Sequence, residues 1–322
     1  METVLLSGPI DEEGMKVLKG KVRVMVSPDS SEASVGQRLK EAEGLIVRTA
    51  TRITADMIRG AGRLKVISRT GGGLNNVDVD AATAQGVVVC GVKGPQDRFV
   101  AEHAVSMMGA LAKAFYRLDP KTRRGEFKSR FEYLPAGLEG KCVGLIGLGR
   151  IGRIVAGICI DGFKMTVRAF DPYLDPRSLG RTDIIIEKKL ESVVAAADFL
   201  SLHIPLTAET RGLMNRERFA LMKSTAFVIN TSRGEVIEES AMTAALQNGR
   251  IAGAGLDVYE KEPPEIDNPL FRLENVIVTP HSAGLTKDTV ARLAAGAALN
   301  ILNVFEGRRP SYSPNWELLQ KG

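Results

Sequence analysis

The chain has 322 residues, of which 44% are hydrophobic, and its formal net charge is +5. This length is enough for two ordinary domains with sizeable cores, and the lack of any apolar run of 18 residues argues against a membrane-spanning helix, so we expect no membrane partner. A basic chain is compatible with anionic small molecules or nucleic acid. No lysine/arginine block or aromatic interleaving is present, however, so we expect no nucleic acid partner.

The N-terminus and the cysteines indicate a cytoplasmic protein. "METVLLSGPIDEEG" has no basic segment before its apolar run and turns acidic at once, which is not typical of a secretory signal. Cys90, Cys142 and Cys159 lie in apolar strand or helix patterns without metal-ligand spacing. Reduced core thiols are typical of the cytosol, and we expect no bound metal.

The first third of the chain alternates short runs of Val, Ile and Leu with helical patterns. Strands are predicted at 3–7, 22–26, 44–48, 64–68 and 87–90. A long helix is predicted at 97–117, and a polar, basic, turn-rich segment follows at 118–137. Strands that alternate with helices predict a parallel sheet covered on both faces.

A second series of strands follows and ends in another long helix, predicted at 286–306. The strands are predicted at 142–147, 164–170, 183–186, 198–204, 225–230, 251–258 and 275–280. Two such series joined by two long helices predict an α/β protein with two doubly wound parallel-sheet domains and a cleft between them. If the last helix crosses back, the first domain holds both chain ends.

The stretch "GLIGLGRIG" (144–152) reads as a buried strand, a glycine turn and a helix start. In this context Gly147 permits the tight turn, Gly149 lets a pyrophosphate approach the backbone, and Gly152 allows close packing of helix and sheet. Asp171 follows the next strand and is placed to bind ribose hydroxyls, which favours NAD over NADP because a carboxylate repels a 2′-phosphate. The alternatives are a glycine turn without a ligand and a plain turn residue before Pro172.

Three polar side chains, Arg233, Glu262 and His281, each come just after a predicted strand. Ligands bind outside the carboxyl ends of parallel strands, so the three side chains are expected to reach one site. Histidine is suited to proton transfer near neutral pH, and arginine to binding a carboxylate. The alternatives are a surface arginine, a solvated glutamate in "EKEPPE" and a histidine that caps the last helix.

Over nearly its whole length the sequence resembles the D-isomer-specific 2-hydroxyacid dehydrogenase family. The segments that carry the resemblance are "GKCVGLIGLGRIG", "AFDPY", "LHIPLTAETRGLMN", "FVINTSRGEVI", "AGLDVYEKEP" and "NVIVTPHSAG". The resemblance implies a Rossmann NAD-binding domain at 97–284, inserted into a discontinuous flavodoxin-like substrate domain formed by 1–96 and 285–322. It also implies that Arg233, Glu262 and His281 are catalytic, and that family members usually form homodimers, here through segment 97–137.

The same resemblance assigns further site residues. The expected cofactor-binding residues are Gly147, Gly149, Arg150, Ile151, Gly152, Asp171, His203, Pro205, Thr210, Thr231, Ser232, Asp257 and Gly284. On the substrate side, the glycines of "SRTGGGLNNVD" free backbone amides for an anion, although a flexible turn is the alternative. The expected substrate-binding residues are Arg69, Gly71, Gly72 and Gly73.

The substrate stays open. "GLIVRTATRIT" looks most like the phosphoglycerate dehydrogenase branch, for which Arg48, Arg69 and Arg98 are candidate phosphate ligands. "GVKGPQDRF" and Asn75 depart from the family pattern, so 3-phosphoglycerate and hydroxypyruvate or glyoxylate all remain candidates. The longer members of this branch carry a C-terminal regulatory domain that a chain of 322 residues does not reach, so we expect no serine feedback.

The sequence therefore predicts an NAD-dependent oxidoreductase that transfers a hydride between nicotinamide and a small anionic D-2-hydroxy or 2-keto acid. An alternative is an NAD-sensing, corepressor-like interaction protein of the same fold. A third reading, with formate or phosphite as substrate, ranks low because formate-type members carry glutamine where Glu262 stands. His103 is expected to be a packed helix residue, and His203 to be structural or adjacent to the cofactor.

Overall fold

The structure, a computed structural model, describes residues 1–94 and 96–320. The chain forms two compact units, one made of Met1–Gln96 with Leu285–Gly322 and the other of Asp97–Gly284. Residues 95, 321 and 322, which the predicted substrate domain includes, lie outside the described residues. Within the described ranges, no helix has both the length and the apolar character needed to cross a membrane.

The first unit is built on a five-stranded parallel sheet with strand order β2-β1-β3-β4-β5. This order is that of flavodoxin-like folds. Its N-terminal elements are β1 (Thr3–Leu6), α1 (Glu12–Leu18), β2 (Arg23–Val26), α2 (Glu32–Leu39), β3 (Gly44–Val47), α3 (Ala55–Arg59), β4 (Val66–Arg69), α4 (Val79–Ala84) and β5 (Val88–Cys90).

The second unit is built on a seven-stranded parallel sheet with strand order β12-β11-β10-β9-β6-β7-β8. Its elements are α5 (Asp97–Ala112), α6 (Phe115–Arg123), β6 (Cys142–Ile146), α7 (Arg150–Gly157), β7 (Thr166–Phe170), β8 (Ile184–Ile186), α8 (Leu190–Ala196), β9 (Phe199–Leu202), α9 (Arg216–Leu221), β10 (Phe227–Asn230), α10 (Glu239–Gln247), β11 (Gly253–Leu256) and β12 (Val276–Val278). The chain then returns to the first unit with α11 (Lys287–Phe305) and α12 (Trp316–Leu319). The predicted fold class is confirmed.

The period-2 pattern of the strands explains how each sheet is covered on both faces. In β1, Leu5 packs in one core cluster of the first unit, while Val4 and Leu6 pack in the other. The second cluster also contains Leu293 and Ile301 of α11, so this late helix covers one face of the N-terminal sheet. Alternating side chains of a strand point to opposite faces, and here both faces are apolar.

The long helix predicted at 97–117 ends earlier than expected, and the following segment is more helical than expected. Ala114 has a left-handed backbone (φ +52°) and separates α5 from α6. The helix α6 contains Pro120, which the sequence pattern had placed in a turn-rich segment. Proline is unfavourable inside a helix, so its presence misled the pattern-based assignment.

Asn315 ties the C-terminal segment to β5 from a fully buried position. Its side chain accepts a hydrogen bond from Val89 N (3.0 Å) and donates to Val87 O and to the Thr83 hydroxyl (both 2.9 Å). The residue is 1% exposed. Loss of this amide would leave two buried backbone groups without their partner, which is costly.

We therefore expect Asn315→Ala to destabilise the protein by about 3 kcal/mol. The measurement is urea unfolding followed by circular dichroism. Asn303→Ala is the matched control, because among the described residues the Asn303 side chain accepts a hydrogen bond only from the exposed Arg308; its effect should be within about 0.5 kcal/mol. Equal midpoints for the two variants would contradict the role given to Asn315.

Candidate active site

The strand order of the second unit reverses direction between β6 and β9, which are neighbours in the sheet. Chain connections from these two strands leave on opposite sides, and ligands of open α/β sheets bind at this point. The glycine turn 147–152 follows β6, and His203 follows β9. The loops after β10, β11 and β12 carry Arg233, Glu262 and His281 at the same end of the sheet.

The glycine turn fits tightly against the end of β9. Gly147 has φ +91°, and a Cβ there would lie 2.5 Å from His203 O. A Cβ at Gly152 would overlap Gly147 O. Both positions therefore exclude any side chain, as the predicted turn requires.

The helix α7 presents an open N-terminus after this turn. Its N-cap is Gly149, where an added Cβ would meet nothing within 4 Å. The first-turn amides of a helix lack intrahelical acceptors and attract anions. The Arg150 guanidinium is paired with Asp97 (2.9 Å), and Ile151 packs partly against the core. The space and the free amides fit a diphosphate.

Asp171 follows β7, is partly exposed, and forms a hydrogen bond to the glycine turn. Its Oδ2 accepts a hydrogen bond from Leu148 N (2.9 Å) and its Oδ1 one from Tyr173 N (3.0 Å). A carboxylate has about four acceptor positions, so capacity for ribose hydroxyls remains. The bond from Leu148 N, within the glycine turn, could not be predicted from the spacing of the motif.

The other predicted cofactor residues line the ends of β9 and β10. Ser201 pairs with His203 Nε2 (2.9 Å), and burial lowers the pKa of His203 to about 4. The Thr210 hydroxyl donates to Pro205 O (2.7 Å) and closes that loop. In the described part of the chain, the buried Thr231 hydroxyl has no hydrogen-bond partner. A buried hydroxyl without a partner at the end of β10 is suited to binding a polar ligand.

Ser232 and Arg233 are shaped by Asn230, a residue that the sequence analysis did not single out. The buried Asn230 Oδ1 accepts bonds from Ser232 N (3.0 Å) and from the Ser232 hydroxyl (2.8 Å), and its amide donates to Arg233 O (2.8 Å). The Arg233 Nη1 donates to Ser232 O (2.5 Å). Burial lowers the pKa of Arg233, while the charges of Glu262 and Glu235 raise it.

Close packing of two backbones brings the loops of Arg233 and Glu262 together. A Cβ at Gly234 would overlap the carbonyl group of Tyr259, so only glycine lets the loop after β10 approach the loop after β11. Tyr259 N donates to Glu262 Oε1 (3.1 Å). These contacts hold the Glu262 carboxylate next to the loop that carries Arg233.

His281 and Glu262 form a direct pair. His281 Nδ1 lies 2.7 Å from Glu262 Oε2, and the two side chains are 35% and 33% exposed. Burial acts to raise the pKa of Glu262, but the hydrogen bond and charge of His281, with the Tyr259 amide and Arg233, outweigh it and the pKa lies below its usual value. Glu262 is therefore ionised at neutral pH and accepts a hydrogen bond from Nδ1–H, an arrangement that orients the ring with Nε2 as the nitrogen suited to proton transfer.

Asp257 supports the turn that carries His281. It is fully buried, and its carboxylate accepts bonds from Ser282 N (2.8 Å), Ala283 N (2.9 Å) and the Thr279 hydroxyl (2.5 Å). Gly284 directly follows this turn. Thr279 and Tyr259, whose hydroxyl donates to Thr279 O (2.9 Å), were missed by the sequence analysis because their spacing carries no motif.

The predicted substrate residues lie in the first unit. The Arg69 Nη2 donates to the Thr49 hydroxyl (2.8 Å), and its guanidinium covers Gly71. Gly71 N donates to Arg69 O (2.9 Å), so this amide is engaged within the loop. A Cβ at Gly72 would touch Lys93 and Gln96 at 3.1 Å, and Gly73 follows.

Of the other candidate phosphate ligands, Arg48 donates to Pro9 O (3.3 Å) and Arg98 pairs with Glu102 (2.7 Å). The sequence analysis did not consider Lys93, whose ammonium lies 3.2 Å above the Tyr312 ring.

Comparison with known proteins gives consistent matches. Residues 105–283 match the model "D-isomer specific 2-hydroxyacid dehydrogenase, NAD binding domain". The chain is 35% identical over 305 residues to a D-3-phosphoglycerate dehydrogenase of Archaeoglobus fulgidus, covering 94% of this chain and 57% of the relative. It is 38% identical over 297 residues to one of Methanocaldococcus jannaschii, covering 92% and 56%. The chain thus spans little more than half the length of these relatives.

Solved structures match over their whole length. A D-lactate dehydrogenase of Aquifex aeolicus, complexed with NAD and lactic acid, superposes with a TM-score of 0.85 at 28% identity over 95% of this chain and 96% of that chain. The apo D-lactate dehydrogenase of Escherichia coli gives a TM-score of 0.82 at 28% identity over 98% and 100%. The chain therefore belongs to the D-isomer specific 2-hydroxyacid dehydrogenase family, and residues 105–283 are its NAD-binding domain.

Proposed function

We propose that this protein is an NAD-dependent oxidoreductase that interconverts a small D-2-hydroxy acid and its 2-keto acid. The observation that carries the proposal is the His281–Glu262 pair, in which an ionised carboxylate accepts a hydrogen bond from Nδ1–H and leaves Nε2 as the proposed base. Arg233, within charge-interaction range of Glu262, supplies a cation on the neighbouring loop. A base, a carboxylate that orients it and a guanidinium are the groups this reaction needs.

Each residue has a distinct task in the oxidation. Arg233 binds the substrate carboxylate and orients C2. His281 Nε2 takes the hydroxyl proton as the C2–O bond becomes a carbonyl, and Glu262 stabilises the resulting imidazolium. NAD held at the glycine turn and Asp171 would supply the acceptor for the hydride that leaves C2. In the reducing direction His281 returns the proton to the carbonyl oxygen.

The substrate is proposed to bind through the first unit, with Met1–Gln96 and Leu285–Gly322 as the substrate domain and Asp97–Gly284 as the cofactor domain. Arg69 and the amides of Gly72 and Gly73 are the proposed carboxylate ligands, because the predicted ligand Gly71 already donates its amide to Arg69 O. The relatives named D-3-phosphoglycerate dehydrogenase support a phosphorylated substrate, for which Arg48 and Arg69 are the candidate cations in this unit. Hydroxypyruvate and glyoxylate, which are also small 2-keto acids, remain candidate substrates.

The corepressor-like alternative is less well supported, because the side chains required for turnover are all present and paired. A panel of 2-keto acids that includes glyoxylate, hydroxypyruvate and 3-phosphohydroxypyruvate, assayed with NADH, separates the two functions. NADH binding without reduction of any of these acids would favour the interaction protein.

We also propose a cytoplasmic homodimer that pairs through segment 97–137. Cys90 and Cys159 are buried free thiols and Cys142 is partly buried, as in a reducing compartment. The segment exposes a group of large apolar side chains: Phe115 (62%), Phe127 (66%), Phe131 (69%) and Leu134 (81%). Several large apolar side chains exposed within one segment favour an interaction surface there.

The first prediction concerns the base. His281→Asn should lower kcat by about 10²- to 10⁴-fold, because the general base is lost. Asparagine tolerates the left-handed backbone of this position (φ +51°), so the turn should persist. The measurements are keto-acid reduction and the NADH dissociation constant by fluorescence, which should change less than twofold. A large loss of NADH binding would show that His281 has another role.

The second prediction concerns the carboxylate. Glu262→Gln keeps an acceptor for His281 Nδ1 but removes the charge that stabilises the imidazolium, so kcat should fall by about 10- to 100-fold. Glu265→Gln, on an exposed pair with Lys261, is the control and should match the wild type.

The loss of stability caused by Glu262→Gln should depend on pH. The folded pKa of Glu262 is below its usual value of 4.5, so its stabilising contribution is present at neutral pH and is lost as pH falls through the folded pKa. The difference in unfolding midpoint between wild type and Glu262→Gln should therefore shrink below about pH 4. A constant difference across this range would contradict the ion pair.

The third prediction concerns association. Light scattering should give twice the chain mass of 34.7 kDa for the wild type. Phe131→Glu with Leu134→Glu should yield monomers, because two charges would have to be buried in the interface. Ile266→Glu is the control, since Ile266 is 97% exposed outside this segment. A wild-type monomer, or an unchanged dimer in the double variant, would rule out the segment.

A further inference from the structure

A second histidine lies behind the turn that carries His281. His103 is on α5, and its Nε2 lies 3.1 Å from the Thr279 hydroxyl, two residues before His281 in the chain. Its side chain is 25% exposed. The reaction described above does not use it, and a packed helix residue would not require this contact.

The direction of the hydrogen bonds fixes the protonation of His103. The Thr279 hydroxyl has one hydrogen, which it donates to Asp257 Oδ1 (2.5 Å). A hydroxyl that has donated its proton can only accept from another partner. The Nε2 of His103 must therefore carry a hydrogen and donate it to Thr279, so that a chain of donors runs from His103 through Thr279 to Asp257.

This chain ends on the turn that carries the base. The Asp257 carboxylate accepts from Ser282 N (2.8 Å) and Ala283 N (2.9 Å), and its carbonyl accepts from His281 N (2.8 Å). His281 has a left-handed backbone (φ +51°), which is unfavourable for a residue with a side chain and needs support from its surroundings. Asp257 supplies that support, and a buried carboxylate is held in one orientation only when its acceptor positions are filled.

We infer that His103 is a positioning residue, which acts through Thr279 and Asp257 to hold the turn of His281 in its catalytic orientation. The inference rests on the proposed function for the role of His281. It gives the helix α5 an indirect role in the reaction, because His103 acts through its hydrogen bond to Thr279 and not through one to Glu262 or His281. We call the set His103, Thr279 and Asp257 the turn brace.

Kinetics of a variant series test the turn brace. His103→Ala should lower kcat about 10- to 100-fold, because a small displacement of a catalytic group is costly, while KM for the keto acid stays within about twofold. His103→Gln should recover most of the activity, because the glutamine amide can also donate to Thr279. Unchanged kcat in His103→Ala, or equal losses in the Ala and Gln variants, would overturn the inference.

Coupling between the members provides a second criterion. Thr279→Val should lower kcat as His103→Ala does. The double variant should have a kcat no lower than that of the less active single variant, because either substitution alone already interrupts the same series of hydrogen bonds. Thr243→Val is the control, since within residues 1–94 and 96–320 the Thr243 hydroxyl donates only to Glu239 O of its own helix (2.8 Å). Additive losses would overturn the inference.

A measurement that does not depend on turnover separates this inference from the proposed function. The chain has three histidines, so ¹⁵N spectra of the imidazole rings can resolve all of them. His103 should carry a hydrogen on Nε2, and Thr279→Val should remove this preference. A wild-type His103 that is neutral and protonated on Nδ1 overturns the turn brace even if the enzyme is active. The expected spectrum in a protein that reduces no keto acid supports the brace and overturns the proposed function instead.

Discussion

The bond between His281 Nδ1 and Glu262 Oε2 is the interaction on which the site depends. It fixes which ring nitrogen is free, and it exists only because two loops from different strands meet at one end of a parallel sheet. In such a sheet all strands point the same way, so their carboxyl ends lie together. The register of β10 with β11 and of β11 with β12 sets how far each loop starts from its neighbour.

Backbone packing then brings these loops within reach of each other. Gly234 permits direct contact with the Tyr259 carbonyl, and Tyr259 N in turn holds Glu262 Oε1. Gly147 does the same for the glycine turn against the end of β9. In both places a single Cβ would force two closely packed backbone segments apart. Glycines at the ends of strands are therefore part of the geometry of the candidate site.

Much of this could be predicted from the sequence, because the determining signals are local. Alternating apolar strands and helices gave the two parallel sheets, and the glycine turn with Asp171 indicated the cofactor domain. The role of Thr279 could not be predicted, because it depends on hydrogen bonds to Asp257 and His103, which are distant in sequence. The bonds of Asn230 to Ser232 and Arg233 and the bond of the Gly71 amide to Arg69 O are local, but they depend on a backbone conformation that no motif in these loops specifies. Most of helix α6 was missed because Pro120 carries a local signal that is typical of a turn.

The three histidines of the chain show why a residue type does not define a role. His203 is buried beside Ser201, with its pKa lowered to about 4, so it stays neutral near pH 7 and cannot exchange a proton in turnover. His103 must donate to Thr279, because that hydroxyl is committed to Asp257. His281 has an ionised carboxylate on Nδ1, and its side chain is 35% exposed. A carboxylate partner stabilises a proton on an imidazole ring, so the partner of each ring, rather than the ring itself, is the reason for proposing His281 as the base.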